Sequence, residues 1–540
     1  MDCSFTVLPY QSTGYFSRII TDYLDEAPHL KSFYQHPVSL NGIRDAIRNR
    51  NEFPVNRQAL VRVLENQYAA LETAPSLKKN IALLNENNTY TVCTAHQPAL
   101  FTGSLYFIYK ILHTIKLASK LSSDIPGSNF VPVFYMGSED ADFEELSKIY
   151  LNGEKIVWDT NQSGAVGRMR NKGLSKLIDR ISRELGVHVH GQDLENLLRS
   201  SFQESEDVQT GMLRLINQLF GHYGLVVLNA DNDLLKAEMK PVFKDDLLNH
   251  RAGDTVRASV QQLSEYYKIQ ANPREINLFY LHDAIRERIE KVGDEWMVVG
   301  TDIRFTREQL LSELEEHPGR FSPNVILRGL YQETILPNIA FIGGGGELAY
   351  WLELKELFRM YQVPFPMLIL RNSFLLIDKQ SHQLMRKLGI SETSVFKPEE
   401  KLKTRFVERN STRQLGLEKE IEDLAGYYDH LQQLATNIDP TLITHVKALK
   451  TRALKTIEAL EKKFLRAEKR HYDTELRQLA TLKEKLFPYQ GLQERTENFM
   501  PYYAQWGKSF IDLLYNHSFT LEQQFGILIE KAESAKHQTS

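Results

Sequence analysis

Hydrophobic and polar positions change period twice along this chain, and the changes divide it into three stretches. From residue 1 to 89, after a short extended start, Gly14 to Tyr23 and Leu60 to Leu84 carry apolar residues at helical spacing, with Pro28, Pro37 and Pro54 punctuating the connections. Short β-branched and aromatic runs then begin: Tyr90 to Cys93, Val131 to Met136, Leu225 to Asn229, Ile339 to Ile342 and Met367 to Leu370. Helical stretches separate them, which predicts an α/β fold with a mostly parallel, doubly wound sheet. The gaps from second to third run and from third to fourth are too long for simple crossovers. The sheet is therefore predicted to comprise residues 90–150, 221–240 and 321–395, interrupted by insertions at 151–220 and 241–320.

Beyond Glu400 the period becomes that of long helices. Leu417, Ile421, Leu424, Tyr428, Leu431, Leu434 and Ile438 recur at threes and fours, and Val446, Leu449, Ala453, Ile457, Leu460, Phe464 and Ala467 at near-heptad spacing. Between them Asp439-Pro440-Thr441 reads as a stop and restart, with Asp439 as N-cap and Pro440 in the first turn. Glu458 with Lys462, and Asp473 with Arg477, are spaced as favourable i,i+4 pairs. Residues 411–487 thus predict a helical hairpin long enough to project as a coiled coil, antiparallel within the chain or shared between protomers; two helices lying flat on the core are the alternative. Residues 488–540 are expected to return to the core as helices.

Composition narrows the function classes. A chain of 540 residues exceeds one hydrophobic core, and 42% hydrophobic with 25% charged residues is ordinary for a globular protein. A net charge of −4 supplies no global field for nucleic acid. Two cysteines, Cys3 and Cys93, build neither a disulfide framework nor a multi-thiolate zinc site. The start MDCSFTVLPY lacks a secretory pattern, and no apolar run reaches the ~18 residues of a membrane span. The expectation is a cytoplasmic protein with no membrane or nucleic-acid partner.

The candidate chemistry gathers where predicted strands end. Thr91 to Lys110 reads as strand, polar corner and helix, putting Thr94, His96 and Gln97 where an open α/β sheet forms its ligand crevice. It reads equally as an ordinary connection facing solvent. After the second strand come Ser138, Glu139, Asp140 and Asp142, with Glu144 and Glu145 beyond. Such carboxylates hold Mg²⁺ or a substrate amine, or merely cap the next helix. Gly343 to Gly346, between a strand and a helix, suit close backbone approach to an anion, but complete neither G-x-G-x-x-G nor a P-loop. Upstream, Arg328 is suited to clamp a carboxylate or to pair with Glu333 beside Gln332. Tyr350 and Trp351 either roof a pocket or fill core. No H-E-x-x-H, C-x-x-C or G-x-S-x-G occurs, and Cys93 reads as packing.

Taken together, TAHQPALFTGSLYFIYK, PVFYMGSEDADFEEL, PREINLFYL, LRGLYQETILP with IGGGGELAYW, and PYQGLQERTENFMPYY resemble the cysteine ligases of bacillithiol biosynthesis, the BshC family. The likeness runs in order from Gly14 to Trp506. Family members more often read T-G-Q-Q where this chain has Thr94-Ala95-His96-Gln97, and G-G-P-G-E where it has Gly343 to Glu347. The resemblance implies a Rossmann-like core related to class I nucleotidyl-transfer folds, two connecting inserts, and a C-terminal coiled-coil hairpin that supports a homodimer. It also implies the last step of bacillithiol synthesis, joining cysteine to the amine of glucosaminyl malate. An amide requires an activated carboxylate, so ATP or ADP with Mg²⁺ is the expected cofactor set, although neither H-I-G-H nor K-M-S-K-S is present. On this expectation His96, Asp140 and Asp142 carry catalysis. Thr94, Gln97, Ser138, Glu139, Arg328, Gln332, Glu333, Gly344, Gly345, Glu347, Tyr350 and Trp351 bind substrate, and Gln493, Glu494 and Arg495 meet the nucleotide. A nucleotide-binding scaffold that recruits a partner enzyme, or a nucleotidyltransferase acting on another amino sugar, are the rival readings.

Overall fold

Runs of Val, Ile, Thr and Phe with no polar face can only be strands covered on both sides, and they form the centre of the molecule. The computed structural model describes residues 2–531. Five all-parallel strands lie in the spatial order Met367–Leu370, Asn338–Gly343, Thr89–His96, Asn129–Met136 and Val226–Asn229. The Thr89–His96 strand is therefore the middle of the sheet, with Cys93 fully buried between Val133 and Phe341. From it the chain first builds outward on one side and only later adds two strands on the other. That reversal makes a switch point at the carboxyl ends of Thr89–His96 and Asn338–Gly343.

Both insertions carry structure that the hydrophobic pattern did not signal. The first holds a hairpin, Lys148–Leu151 with Glu154–Val157, and helices Leu174–Leu185, Gly191–Phe202 and Val208–Phe220. In the second, helices Lys240–Asn249 and Arg251–Ser264 lead into a five-stranded antiparallel sheet built around Ile285–Val292. That strand reads IRERIEKV with only Ile289 buried, so its charged residues hide the period-two signal of a strand. A third sheet joins Cys3–Pro9, Gln524–Glu530 and Ser373–Ile377. The expectation of helices throughout 488–540 is corrected here: Met500–Trp506 and Lys508–His517 are helical, but Gln524–Glu530 is a strand fixed by pairing with the two others. Residues 532–540 lie outside the described residues.

Helices Glu418–Ile438 and Leu442–Lys469 form the hairpin, running antiparallel. Ala435 and Glu468 are their only buried residues, so the hairpin projects from the body. Asp439 accepts a hydrogen bond from the Thr441 N–H at 2.8 Å, and the second helix begins only at Leu442, not at Pro440. Of the two i,i+4 pairs, Asp473–Arg477 closes at 2.7 Å and Glu458–Lys462 does not.

The N-terminal helices are locked to the sheet by a buried ion pair. Arg50, from helix Leu40–Asn51, reaches Glu333 Oε2 at 2.8 Å and donates to the carbonyls of Glu333 and Asn338, also at 2.8 Å. Gln332 and Asn338 donate to the other Glu333 oxygen at 2.9 and 2.7 Å, so both oxygens of this buried carboxylate accept hydrogen bonds. Removing one partner strands a charge in the core, which costs about 3–5 kcal/mol, whereas replacing both is far milder. Arg50→Met is accordingly expected to lower the thermal midpoint sharply, and Arg50→Met with Glu333→Leu to recover most of it, as read by calorimetric melting.

Candidate functional site

Because parallel strands end on one edge, the loops after them must meet, and here four do. His96 and Gln97, the Gly137–Asp142 loop, Gly344–Glu347 and Arg371 line one cavity of about 600 Å³. Arg328, on helix Val325–Ile335, closes one side, so His96, Asp140, Arg328 and Gly344 share a single space. The second insertion contributes Asn272, Arg274, Phe279 and Arg286, and the segment after the hairpin contributes Arg495.

His96 lies at the end of the central strand. Its Nδ1 is 2.9 Å from the Gln97 carbonyl, which can only accept, so the proton sits on Nδ1. Nε2 is then free to accept from the Tyr106 hydroxyl at 3.0 Å. Burial, reinforced by the Lys110 charge, pushes the ring down to about 4 and keeps it neutral at physiological pH. Burial and then Glu347 push Tyr106 up to about 12, so its hydroxyl keeps its proton. As placed, His96 orients Tyr106.

Asp140 receives both terminal nitrogens of Arg328, one at 2.7 Å, and Arg286 Nη2 lies 3.5 Å away. Burial alone would raise this carboxyl, but Arg328 and Arg286 hold it below the usual carboxylate range. Arg328 thus pairs with Asp140 and not with Glu333, which belongs to Arg50. Asp142 caps the short helix Phe143–Leu146 through the Glu145 N–H, yet its carboxylate still faces the cavity.

Glu347 is bound on one oxygen only. Oε2 accepts from Lys110 Nζ at 2.6 Å and from the Gly344 N–H at 2.7 Å, leaving Oε1 without a hydrogen-bond partner among the described residues, and the residue lines the cavity. Lys110 is itself buried and donates also to the Ala95 carbonyl at 2.6 Å. Opposite stands Arg371, stacked over the Tyr106 ring with its centroid 5.0 Å away. Arg371 Nη2 pairs with Glu494 at 2.6 Å and Nη1 with the Asn372 carbonyl and Ser373, while Nε has no partner among the described residues. A Cβ on Gly344 would stand 3.3 Å from Glu347 Oε2 and 3.5 Å from Arg371 Nε, so both groups flank one point that glycine leaves open.

Several expected contacts fall outside the cavity. Thr94 Oγ1 donates to the Ile342 carbonyl inside the sheet, and Ser138 donates to Asn229. Glu139 is buried against Lys236, which also meets Asp231, itself held by Arg168 of the first insertion. Gln332 and Glu333 serve the Arg50 cluster, and Trp351 stacks on Phe341 in the core. Gln493 is spent on the backbone of Leu376 and Glu494 on Arg371 and Phe374, so of that segment only Arg495 reaches the cavity. Gln97, Gly345, Glu347 and Tyr350 do line it. Pattern reading passed over Tyr106, Tyr135, Arg274, Arg286 and Arg371. An arginine directly after the Met367–Leu370 strand was a detectable signal; Arg286, in a charge-rich strand, offered none.

The description "Bacillithiol biosynthesis BshC, N-terminal Rossmann-like domain" matches residues 3–372, and "Bacillithiol biosynthesis BshC, C-terminal coiled-coil domain" matches residues 374–530. This chain belongs to the BshC family. A relative from Flavobacterium johnsoniae named "Putative cysteine ligase BshC" is 40% identical, the match covering 96% of this chain and 99% of that one. A protein of the same name from Christiangramia forsetii is 39% identical over 96% and 98% of the two chains. One from Bacillus cytotoxicus is 27% identical over 93% and 96%. The BshC domain descriptions agree with the parallel sheet and the projecting hairpin, and no helix among the described residues is long and apolar enough to cross a membrane.

His96 contributes one part of the pH dependence of stability, beside His36 and His113, which burial also pushes down to about 4. The folded pKa of His96 lies below the ordinary 6.5, so the unfolded chain binds the proton first and stability is lost as pH falls from about 6.5 to about 4. His96→Gln is expected to reduce the slope of thermal midpoint against pH in that window and to leave the midpoint at pH 8 nearly unchanged.

Proposed function

We propose that this chain forms the amide between cysteine and the amine of glucosaminyl malate, and that the reaction takes place in the carboxyl-edge cavity. The observation that carries the reading is the cavity's division of charge. Arg274, Arg286 and Arg328 line one wall with Asn272 and Asn324, against the single paired carboxylate of Asp140. That excess of guanidinium suits a dicarboxylate such as malate, since planar forks bind carboxylates bidentately. Elsewhere in the cavity, Glu347 and Arg371 Nε flank the point that Gly344 leaves open, a pairing suited to the ammonium and carboxylate of one α-amino acid. Cysteine there would present its carboxyl carbon to Arg371, Arg495 and the Gly345 and Gly346 N–H groups, which stabilise negative charge developing on oxygen. Asp142, without an ion-pair partner among the described residues, would take the proton that the sugar amine must lose.

A nucleotide phosphate fits the same donors by charge, and a bound nucleotide supplies the carboxylate activation that amide formation demands. Among the described residues no group of three His, Cys, Asp or Glu side chains is set to hold a metal, so Mg²⁺ would arrive on those phosphates, with Asp142 and Glu145 near them. The hairpin supports reading the protein as a homodimer: Leu434, Ile438, Leu442, Leu449, Leu460 and Phe464 are each more than a third exposed, a stripe that a second hairpin would cover.

The decisive experiment combines purified protein, cysteine, glucosaminyl malate and ATP–Mg²⁺ with mass spectrometry of thiol product and nucleotide. Product formed in step with nucleotide loss supports the reading; nucleotide loss only with another amino sugar replaces it. In calorimetric titration, Arg286→Ala is expected to weaken glucosaminyl malate about tenfold or more and to spare cysteine, while Glu347→Gln does the reverse. Equal losses for both ligands would remove the two-walled arrangement.

A further inference from the structure

The helix that brings Tyr106 to the cavity and Lys110 to Glu347 starts from a strained backbone that its own turns hold only in part. The Thr102 N–H reaches the Ala99 carbonyl at 3.1 Å and the Gly103 N–H that of Leu100 at 2.8 Å. Phe101 and Thr102 have φ of +44° and +70°, and Gly103 has +65°. Left-handed backbone is ordinary for glycine but costly for a β-branched threonine or a bulky phenylalanine, and it persists only where the surroundings impose it. Here both side chains are buried: Phe101 packs edge-on against Phe202, but Thr102 Oγ1 has no hydrogen-bond partner among the described residues, so nothing polar offsets its strain.

The restraint comes from residues almost 400 positions away in sequence, in the segment that returns from the hairpin. Asn498, fully buried, donates its two amide protons to the carbonyls of Phe101, at 3.0 Å, and Gly103. Its own Oδ1 is fixed by the Met500 N–H at 2.9 Å. On the same segment the Glu497 carbonyl accepts from the Leu105 N–H at 2.7 Å and the Arg495 carbonyl from Ser104 Oγ at 3.0 Å. Four hydrogen bonds to Arg495, Glu497 and Asn498 thus tie the start of helix Tyr106–Asp124 to the chain leaving the hairpin, where Arg495 itself lines the cavity.

We infer that Asn498 is a positioning residue of the cavity: it holds the 101–103 loop in its left-handed form and thereby sets where Tyr106 meets His96 and where Lys110 meets Glu347. It touches neither substrate, and no other residue type of its size offers two donors and one acceptor in this arrangement. The claim about activity rests on the reading of the cavity as the site of condensation. The claim about the loop does not.

The test uses full-length protein and two readouts. Hydrogen exchange of peptides spanning 99–110 reports the hold itself, and thiol product in a strain lacking the enzyme reports its consequence. Asn498→Ala, and Asn498→Asp, which keeps the acceptor and loses both donors, are expected to speed exchange in that loop about tenfold and to lower thiol output by a similar factor. Adding Thr102→Gly, which makes the left-handed form affordable without restraint, is expected to recover most of the output. Unchanged exchange in both variants overturns the proposal. So does a loss that follows global melting and is not relieved by Thr102→Gly, or failure of both variants to fold. A wild-type chain that gives no thiol in the same strain would defeat the assignment of the reaction to the cavity while leaving the exchange result to decide the loop.

Discussion

A charge taken out of water must find its opposite, and that requirement fixes how the distant parts of this molecule are joined. Arg50 with Glu333 pins the N-terminal helices to the sheet. Lys236 gathers Glu139 and Asp231, and Arg168 brings the first insertion to the same cluster. Arg371 with Glu494 ties the last core strand to the chain beyond the hairpin. Each pair is a poor source of net stability, because desolvation offsets most of the attraction, but each is costly to break and so admits one arrangement. Around the cavity this specificity is what counts: it leaves Arg274, Arg286 and Arg495 less committed than their neighbours, and those are the groups a ligand meets.

Position along the strand decides which polar residue serves which purpose. Thr94 and Ser138 sit one step too early or face inward, and their hydroxyls are consumed by backbone and Asn229. Asp140 and Gly344 stand past the last ladder bonds and His96 is the final paired residue of its strand, so these residues meet the cavity and not a neighbouring strand. The alternation of used and unused groups at a single sheet edge is what converts a structural necessity, loops that must meet, into a place for chemistry. Neutral His96 adds to this by giving Tyr106 a fixed acceptor without introducing a further charge.

The five core strands were legible because buried parallel strands write themselves as uninterrupted apolar runs, and each run lies within a residue or a few of the observed strand. The hairpin was legible for the corresponding helical reason. What escaped notice was polar. Gln524–Glu530 is the exception, an apolar run from Phe525 to Ile529 that carried the same signal as the core strands, whereas Ile285–Val292 alternates charges with a single buried isoleucine. For the same reason Arg286 could not be anticipated, since its role depends on a sheet that pairs only in three dimensions. Glu139, Gln332, Glu333, Gln493 and Glu494 failed the other way: a polar residue near a strand end can be the inner half of a buried pair as readily as a ligand for substrate, and spacing does not separate the two cases.

The third sheet carries a consequence for how the chain is made. Cys3–Pro9 has one sheet neighbour, Gln524–Glu530, so from the moment it leaves the ribosome it must wait for a partner more than 500 residues downstream. At translation speeds of roughly 5–20 residues per second that interval lasts about half a minute to two minutes. Throughout it the opening strand presents unsatisfied backbone and the aromatic side of Phe5, the kind of edge that pairs with the wrong chain. The third sheet therefore closes only after the chain beyond the hairpin has been made, and it is the last of the sheets to find all its strands.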